Sequence, residues 1–158
     1  IGVEISEKAI ISFFSENKIE YSTKEESNIR CFYSKNITIY KADIFDLEPR
    51  HMKSSDCFYD RAALIALPKN TRNNYVQQIK ALTGNSSIGL LVSIEYLPTQ
   101  SDFPPFCIKQ EEITDLFSAN FTVEKLMEQD ILDASPKAIE RGLTEIKEVV
   151  YSLASLCK

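Results

Sequence analysis

Charged side chains follow apolar runs at several points of this 158-residue chain, and their types fit the binding of a nucleoside-containing ligand. Glu4 ends the first apolar run and is followed directly by an amphipathic segment. In doubly wound α/β domains, a carboxylate at the carboxyl end of a strand accepts hydrogen bonds from the two hydroxyl groups of a ribose. A carboxylate suits this task because it only accepts hydrogen bonds. The alternative is a solvated charge near the start of a helix.

Further polar residues lie where other strands are expected to end. Asp43 precedes an apolar pair, Asp60 is followed by Arg61, and a loop rich in proline and aromatic residues covers positions 96–106. Strands that alternate with helices predict a mostly parallel sheet, whose ligands bind beyond the carboxyl ends of the strands. We therefore predict that these residues meet at one crevice.

The order of these motifs resembles that of the thiopurine S-methyltransferase family. The matching segments are GVEISE at 2–7, IFDL at 44–47, YDRAAL at 59–64, PPF at 104–106 and ERGL at 140–143. GVEIS followed by the Asp-Arg pair is the specific part of the match, whereas PPF is weak alone. The resemblance implies an α/β, Rossmann-like methyltransferase fold that uses S-adenosylmethionine. In this fold a mostly parallel sheet has helices on both faces and an antiparallel C-terminal strand.

The resemblance also implies a cofactor site at the first strand ends. Glu4 would bind the ribose, and Ile44 and Phe45 would enclose the adenine ring while an acid or backbone group pairs with its amino edge. Without the resemblance, we would assign these two apolar residues to the core. The full set of implied cofactor-binding residues is Glu4, Ile5, Asp43, Ile44, Phe45 and Arg61.

A second set of residues would bind the methyl acceptor. The prolines would hold a stiff apolar wall at low entropic cost, although a packed loop is the alternative. Lys137 falls where mammalian members of the family place an arginine, and Arg141 is the nearest arginine that could substitute. This departure puts a preference for thiopurines in doubt. The implied substrate-binding residues are Arg61, Pro104, Pro105, Phe106, Lys137 and Arg141.

Asp60 and Arg61 are the candidate catalytic residues. The guanidinium group of Arg61 could orient an anionic or heteroaromatic acceptor. Asp60 could accept a proton from a weakly acidic thiol, and the alternative is that both residues support loops. The implied reaction is a direct displacement in which a thiol sulfur attacks the methyl group of a sulfonium. Aromatic thiols ionise near neutral pH, so proximity, alignment and exclusion of water could carry most of the catalysis.

The composition argues against several other kinds of function. A net charge of −5 with scattered lysines and arginines opposes nucleic-acid binding. No apolar run approaches the ~20 residues that span a bilayer. The single histidine, His51, lies in an expected surface loop and gives little support to a zinc site. The four widely spaced cysteines could form two disulfides in a secreted protein, but the acidic α/β pattern favours reduced cytosolic thiols. We expect a cytoplasmic monomer that binds a small-molecule thiol or another soft nucleophile, without nucleic acid, membrane or metal.

The start of the chain departs from the family pattern. No strand with a glycine-rich turn precedes Ile1, and the four glycines of the chain form no GxGxxG-like cluster. We expect residues 1–158 to be the later part of a single methyltransferase-like domain, whose first strand and glycine-rich loop lie outside this sequence. The alternative is a truncated protein that cannot hold the cofactor.

Sequence periodicity predicts the elements that position these residues. In the first third, Ser6 caps a helix that ends near Asn17, residues 21–29 form a polar loop, and a hairpin turns at 34–36. The later predicted elements are a strand at 57–60, a short helix or turn at 62–67, a helix at 71–82 that ends at Gly84, a strand at 88–96, a loop at 98–106, a helix at 109–117, a strand at 121–126 and a connection at 129–140.

The last segment fits two elements. Leu143, Ile146, Val150 and Leu153 have helical spacing, whereas the β-branched cluster that includes Val150 favours a strand. The resemblance implies a final antiparallel strand, and this is the prediction we follow.

The first functional hypothesis is an S-methyltransferase that acts on small aromatic or heterocyclic, thiopurine-like thiols. A related enzyme that methylates halide, selenium or tellurium species is the second. A catalytically inactive methyltransferase-like binding module is the third, favoured by the missing glycine turn. A dinucleotide oxidoreductase is the weakest alternative, because no residue suggests a hydride acceptor site.

Overall fold

A computed structural model of the chain describes residues 1–51, 55–97, 101 and 103–156. The chain divides into two compact units, Ile1–Lys53 and Ser54–Lys158. The prediction that residues 1–158 belong to one methyltransferase-like domain stays a prediction, and each unit is described by itself.

The first unit is a four-stranded sheet with one helix. Its elements are β1 (Gly2–Glu4), α1 (Glu7–Glu16), β2 (Ser22–Glu26), β3 (Ile29–Tyr33) and β4 (Thr38–Lys41), with strand order β1-β4-β3-β2. Helix α1 begins as predicted, because the Ser6 hydroxyl accepts a hydrogen bond from the Ala9 amide at 3.3 Å. Ile10 and Phe14 of this helix pack with Phe32 of β3 in the core of the unit.

Strand β2 corrects one prediction from the sequence. Residues 21–29 were expected to form a polar loop, but Ser22–Glu26 pairs antiparallel with β3 along its whole length. The side chains of β2 are almost all exposed, so the strand lacks the apolar alternation that marks a half-buried strand. Backbone pairing with β3 creates this edge strand, and the side-chain pattern does not predict it.

The second unit contains four α-helices and four strands among the described residues. They are β5 (Ser55–Asp60), α2 (Ala63–Ala66), α3 (Lys69–Leu82), β6 (Thr83–Glu95), α4 (Gln110–Phe117), β7 (Phe121–Asp130), α5 (Pro136–Glu140) and β8 (Lys147–Ser155). The strand order is β5-β6-β8-β7. Leu91 and Tyr151 are opposite each other on β6 and β8 and are fully buried.

Most predicted elements of this unit are confirmed, with changes at their ends. Segment β8 is a strand, antiparallel to both β6 and β7, as the resemblance implied. Strand β7 extends to Asp130, and the predicted connection after it contains α5. Helix α3 runs directly into β6, so Gly84 lies in the strand and does not end the helix. In the predicted loop at 98–106, residues 98–100 and 102 lie outside the described residues.

The pairing of strands is mixed. Within the residues that the structure describes, β1–β4 and β5–β6 pair in parallel, and the other four pairings are antiparallel. The α/β class is confirmed, but the parallel share is lower than expected because β2, β3 and β4 form successive hairpins and β8 lies between β6 and β7. None of the helices in the described ranges has the length and apolarity that crossing a lipid bilayer requires.

Candidate functional site

Glu4 and Asp43 lie at the same edge of the first unit. Strands β1 and β4 are parallel, with Glu4 opposite Lys41, and Asp43 follows two residues later. The carbonyl group of Glu4 also accepts a hydrogen bond from the Ala42 amide at 3.2 Å. Two acidic residues that are distant in sequence therefore meet where two neighbouring parallel strands end, which is where α/β sheets bind ligands.

The carboxylates of this edge hold local turns. Glu4 Oε1 accepts a hydrogen bond from the Ser6 amide at 2.7 Å, and Asp43 Oδ1 accepts one from the Phe45 amide at 3.0 Å. The second oxygen of Glu4 accepts no hydrogen bond from the described residues. Ile5 and Phe45 expose large apolar side chains beside these acids. The edge thus combines a free acceptor oxygen with exposed apolar surface. This combination suits a nucleoside, whose sugar hydroxyls donate hydrogen bonds and whose base is a flat ring.

Asp60 is buried at the carboxyl end of β5. Its carboxylate accepts hydrogen bonds from the Ala63 amide at 3.0 Å, from the Leu64 amide at 3.3 Å, and from the Tyr75 hydroxyl at 2.8 Å. Burial raises the pKa of the Asp60 carboxyl, and the hydrogen bonds oppose this shift. Burial, together with the Asp60 charge, also raises the pKa of the Tyr75 hydroxyl. These contacts favour a positioning role for Asp60 over the proton transfer that the sequence suggested.

Arg61 occupies the turn between β5 and α2. Its side chain is 67% exposed, and its Nη2 atom lies 3.6 Å from Glu148 Oε2. Glu148 is opposite Ile94 in the pairing of β8 with β6. The arginine is therefore directed toward the part of the sheet where β6 ends.

An apolar cavity of about 250 Å³ lies at that end of β6. Most of its wall is aliphatic or aromatic, with two cations, from Lys137 and Arg141, among the lining residues that the structure describes. The ammonium group of Lys137 has no hydrogen bond or ion pair with any described residue. The cavity is lined by Ile94, Tyr96, Ser101, Pro105, Ile131, Ser135, Lys137, Ala138, Arg141, Leu143 and Ile146.

Pro105 forms part of the cavity wall, and the Pro104–Pro105 pair is fixed from two sides. Arg141 Nη1 donates a hydrogen bond to the Pro104 carbonyl oxygen at 3.1 Å, and the Tyr96 hydroxyl donates one to the Pro105 carbonyl oxygen at 2.9 Å. The Pro104–Pro105 peptide bond is cis. Arg141 therefore shapes the cavity wall as well as bringing a positive charge to it.

Phe106 has contacts of a different kind from the neighbouring prolines. Its amide donates a hydrogen bond to the Ile65 carbonyl oxygen at 2.7 Å, and its ring lies 5.5 Å from the Arg72 guanidinium. Arg72 is itself buried and paired with Glu112 at 2.6 Å. Phe106 is not among the cavity-lining residues, so it anchors the loop to α2 and α3. Its predicted contact with substrate stays a prediction.

Sequence reasoning missed several residues of this region. Tyr75 received no role beyond its place in the predicted helix at 71–82, and Glu148 was not singled out. Ile131 and Ala138 were placed in a featureless connection, yet they form cavity wall. The apolar residues that follow the polar end of β7 were a signal that this segment packs against something.

Comparison with known proteins decides the family. The sequence pattern of the family described as Thiopurine S-methyltransferase (TPMT) matches residues 1–155. The chain belongs to this family. It is therefore an S-adenosylmethionine-dependent methyltransferase, as the motif order had implied.

Two bacterial members show the extent of the match. The chain is 37% identical over 153 residues to the thiopurine S-methyltransferase of Pseudomonas paraeruginosa, covering 97% of this chain and 70% of that protein. It is 37% identical over 158 residues to the same enzyme of Shewanella sediminis, with the same coverage.

Solved structures of methyltransferases share the fold. A Burkholderia thailandensis 1,6-didemethyltoxoflavin-N1-methyltransferase with bound 1,6-didemethyltoxoflavin and S-adenosylhomocysteine has a TM-score of 0.52 and 17% identity, covering 97% of this chain and 59% of that one. A mycolic acid cyclopropane synthase complexed with S-adenosylhomocysteine has a TM-score of 0.60 and 12% identity, covering 97% and 68%. These likenesses confirm the Rossmann-like methyltransferase fold class.

Proposed function

We propose that this family member transfers the methyl group of S-adenosylmethionine to the sulfur of a small aromatic or heterocyclic thiol, thiopurine-like compounds included. The observation that carries the proposal is the apolar cavity with Lys137 and Arg141 in its wall. At about 250 Å³ the cavity is smaller than the roughly 300–1,000 Å³ of drug-sized sites, so it favours a small acceptor. Its apolar walls favour a ring, and its cations favour a ring that is anionic or rich in acceptor atoms.

The proposed cofactor residues are those at the strand ends. Glu4 would hold the ribose hydroxyls through its free oxygen, supported by Ile5. Asp43, Ile44 and Phe45 would bind the adenine, and the expected role of Arg61 in cofactor binding stays a prediction from the sequence. The fit rests on the exposed apolar residues and the half-occupied carboxylate at the edge of the first unit.

The cofactor supplies an electrophilic methyl group on a positively charged sulfur, and the chain supplies position and exclusion of water. Arg61, Lys137 and Arg141 would orient the acceptor so that its sulfur faces the methyl group, and Pro104, Pro105 and Phe106 would hold the wall behind it. Such alignment can lower a barrier by roughly 7–11 kcal/mol. An aromatic thiol loses its proton to solvent, and the resulting thiolate attacks the methyl group as the bond from that methyl group to the cofactor sulfur breaks, so this reaction needs no buried base.

Turnover assays on the full-length protein test the acceptor class. We expect methylation of an aromatic thiol such as a thiophenol at a higher kcat/KM than methylation of iodide or selenite. A higher kcat/KM with iodide or selenite would overturn the thiol assignment in favour of the halide, selenium or tellurium hypothesis.

Calorimetry with S-adenosylhomocysteine separates an enzyme from an inactive binding module. We expect binding by the full-length protein and about tenfold weaker binding by Glu4→Gln, since loss of a charged acceptor costs on the order of 1–2 kcal/mol. Glu16→Gln, at the exposed end of α1, is the matched control and should bind like the parent. Absence of binding by the parent would favour the module.

The expected cytosolic location and monomeric state stay predictions from the composition.

A further inference from the structure

The turn that carries Arg61 is closed by one buried carboxylate. Asp60 precedes Arg61, and its side chain reaches over the turn to accept hydrogen bonds from the amides of Ala63 and Leu64. The short helix α2 begins there without a side-chain cap from its own N-terminal residue. The segment 61–62 therefore begins directly after Asp60 and ends at amides that donate to the Asp60 carboxylate, so Asp60 fixes both of its ends.

Tyr75 holds this carboxylate from another element. Its hydroxyl, on α3, donates to Asp60 Oδ2 at 2.8 Å, and the two residues are only 3% and 5% exposed. Within the described residues, Tyr75 provides the one side-chain donor to Asp60, and the other donors are backbone amides. A buried carboxylate that loses a donor has a strong tendency to move toward water, because an unpaired buried charge is costly.

The side chain of Arg61 has little else to fix it. It is mostly exposed, and its one ion pair within the described residues, with Glu148 at 3.6 Å, is a loose surface contact. Surface pairs of this kind contribute little to fixing a side chain. The position of the guanidinium therefore depends mainly on the turn beneath it.

We propose that Tyr75 is a positioning residue for Arg61: its hydroxyl holds Asp60, and Asp60 holds the turn that presents the guanidinium to the methyl acceptor. This inference rests on the proposed function, in which Arg61 orients the acceptor. Tyr75 does not touch the cavity, and its effect on turnover passes through Asp60 and Arg61.

A double-mutant cycle on the full-length protein tests this dependence. We expect Tyr75→Phe to lower kcat/KM for an aromatic thiol by about tenfold, because small displacements of an orienting group reduce turnover strongly. In an Arg61→Ala background the same substitution should have almost no effect. A merely structural role for Tyr75 would give the same factor in both backgrounds. Tyr40→Phe is the control, since Tyr40 is buried in the first unit and its hydroxyl bonds to no described residue.

Limited digestion with trypsin provides a second measurement that does not depend on turnover. We expect Tyr75→Phe to raise the rate of cleavage after Arg61 several-fold relative to cleavage after the exposed Arg50, and Tyr40→Phe to leave the ratio unchanged. Asp60→Asn, which keeps the shape of the side chain, should behave like Tyr75→Phe and replaces it if that variant fails to fold.

The outcomes distinguish this inference from the function on which it rests. An equal loss of kcat/KM in both backgrounds, or an unchanged cleavage ratio, overturns the role of Tyr75 and leaves the thiol assignment standing. Full turnover by Arg61→Ala overturns the use of Arg61 in the proposed function and this inference with it. A parent protein without thiol turnover overturns both.

Discussion

Lys137 brings a positive charge to an apolar cavity, and none of the residues that the structure describes neutralises this charge. Arg141, one turn later, donates to the Pro104 carbonyl oxygen and thus has a structural contact, whereas Lys137 makes no ion pair or hydrogen bond with a described residue. A charge in such a place attracts a ligand of opposite sign. At the scale of single residues, Lys137 is therefore the group whose removal should change acceptor preference without changing the shape of the cavity.

The substitution Lys137→Met tests this role, because methionine keeps most of the aliphatic stem and removes the charge. We expect kcat/KM for a carboxylated aromatic thiol to fall about tenfold and that for a neutral thiophenol to change little, since one lost charge contact costs on the order of 1–2 kcal/mol. Steady-state kinetics with both thiols measure the difference. Lys35→Met, at the exposed hairpin turn of the first unit, is the control. An equal loss for both thiols would contradict the charge contact.

At the scale of elements, Gly89 of β6 leaves room for a ring on the neighbouring strand β5. Gly89 is opposite Phe58 in their parallel pairing, and a Cβ atom at Gly89 would lie 2.1 Å from Phe58 Cζ. The Phe58 ring packs edge-on against Phe121 of β7 at 5.8 Å. The Phe58 ring of β5 thus lies over Gly89 of β6 and reaches Phe121 of β7, in the sheet that ends at the candidate acceptor site.

The substitution Gly89→Ala should displace the Phe58 ring. We expect the free energy of unfolding to fall by about 1–3 kcal/mol, the usual cost of overpacking. Denaturant unfolding measures this loss. In a Phe58→Leu background the same substitution should cost much less, because the ring is no longer present. Equal costs in the two backgrounds would show that the clash with Phe58 is not the cause.

At the scale of the whole molecule, ion pairs of similar kind occur in both units. Glu7 pairs with Arg30 and Lys41 in the first unit, each at 2.8 Å. Glu128 pairs with Lys125 and Lys147 in the second, at 3.0 and 2.7 Å. The hydrogen bond from Lys41 mainly lowers the pKa of Glu7, and that from Lys147 mainly lowers the pKa of Glu128.

These lowered pKa values give stability a definite dependence on pH. A carboxyl group with a lowered native pKa stabilises the fold above its ordinary value of 4.5, and this contribution is lost as the pH falls through the native pKa. We expect the free energy of unfolding to decrease over this range, and Glu128→Gln to reduce the slope. Glu124→Gln, on the same strand without an ion pair within the described residues, is the control. An unchanged slope in Glu128→Gln would contradict the assignment.

The Asp60 carboxyl changes the free energy of unfolding with pH in the opposite direction. Burial raises the pKa of its carboxyl, so its native form holds a proton more tightly than the unfolded chain does. Its contribution to stability is therefore largest at low pH and declines as the pH rises through the raised native pKa. The free energy of unfolding measured against pH therefore contains two opposing contributions, one from Glu7 and Glu128 and one from Asp60. The Asp60→Asn variant removes the second contribution and leaves the first.

Local sequence signals determined most elements and the strand-end positions. Ser6 predicted the start of α1 because a hydroxyl at that position caps free amides, and the hairpin predicted to turn at 34–36 is the pairing of β3 with β4. Glu4 and Asp43 were predicted at one edge because parallel strands end together, and their register places them there. The motif order alone pointed to the family to which the chain belongs.

Tertiary structure alone decided which distant side chains meet. Strand β2 has no side-chain pattern to reveal it, since only its backbone pairs with β3. The contacts of Asp60 with Tyr75 and of Arg61 with Glu148 join different elements, and no spacing in the sequence encodes them. The apolar cavity arises where the end of β6 packs against the segment around α5. Periodicity reports the face that a residue occupies on its own element, whereas a cavity depends on how separate elements fill space together.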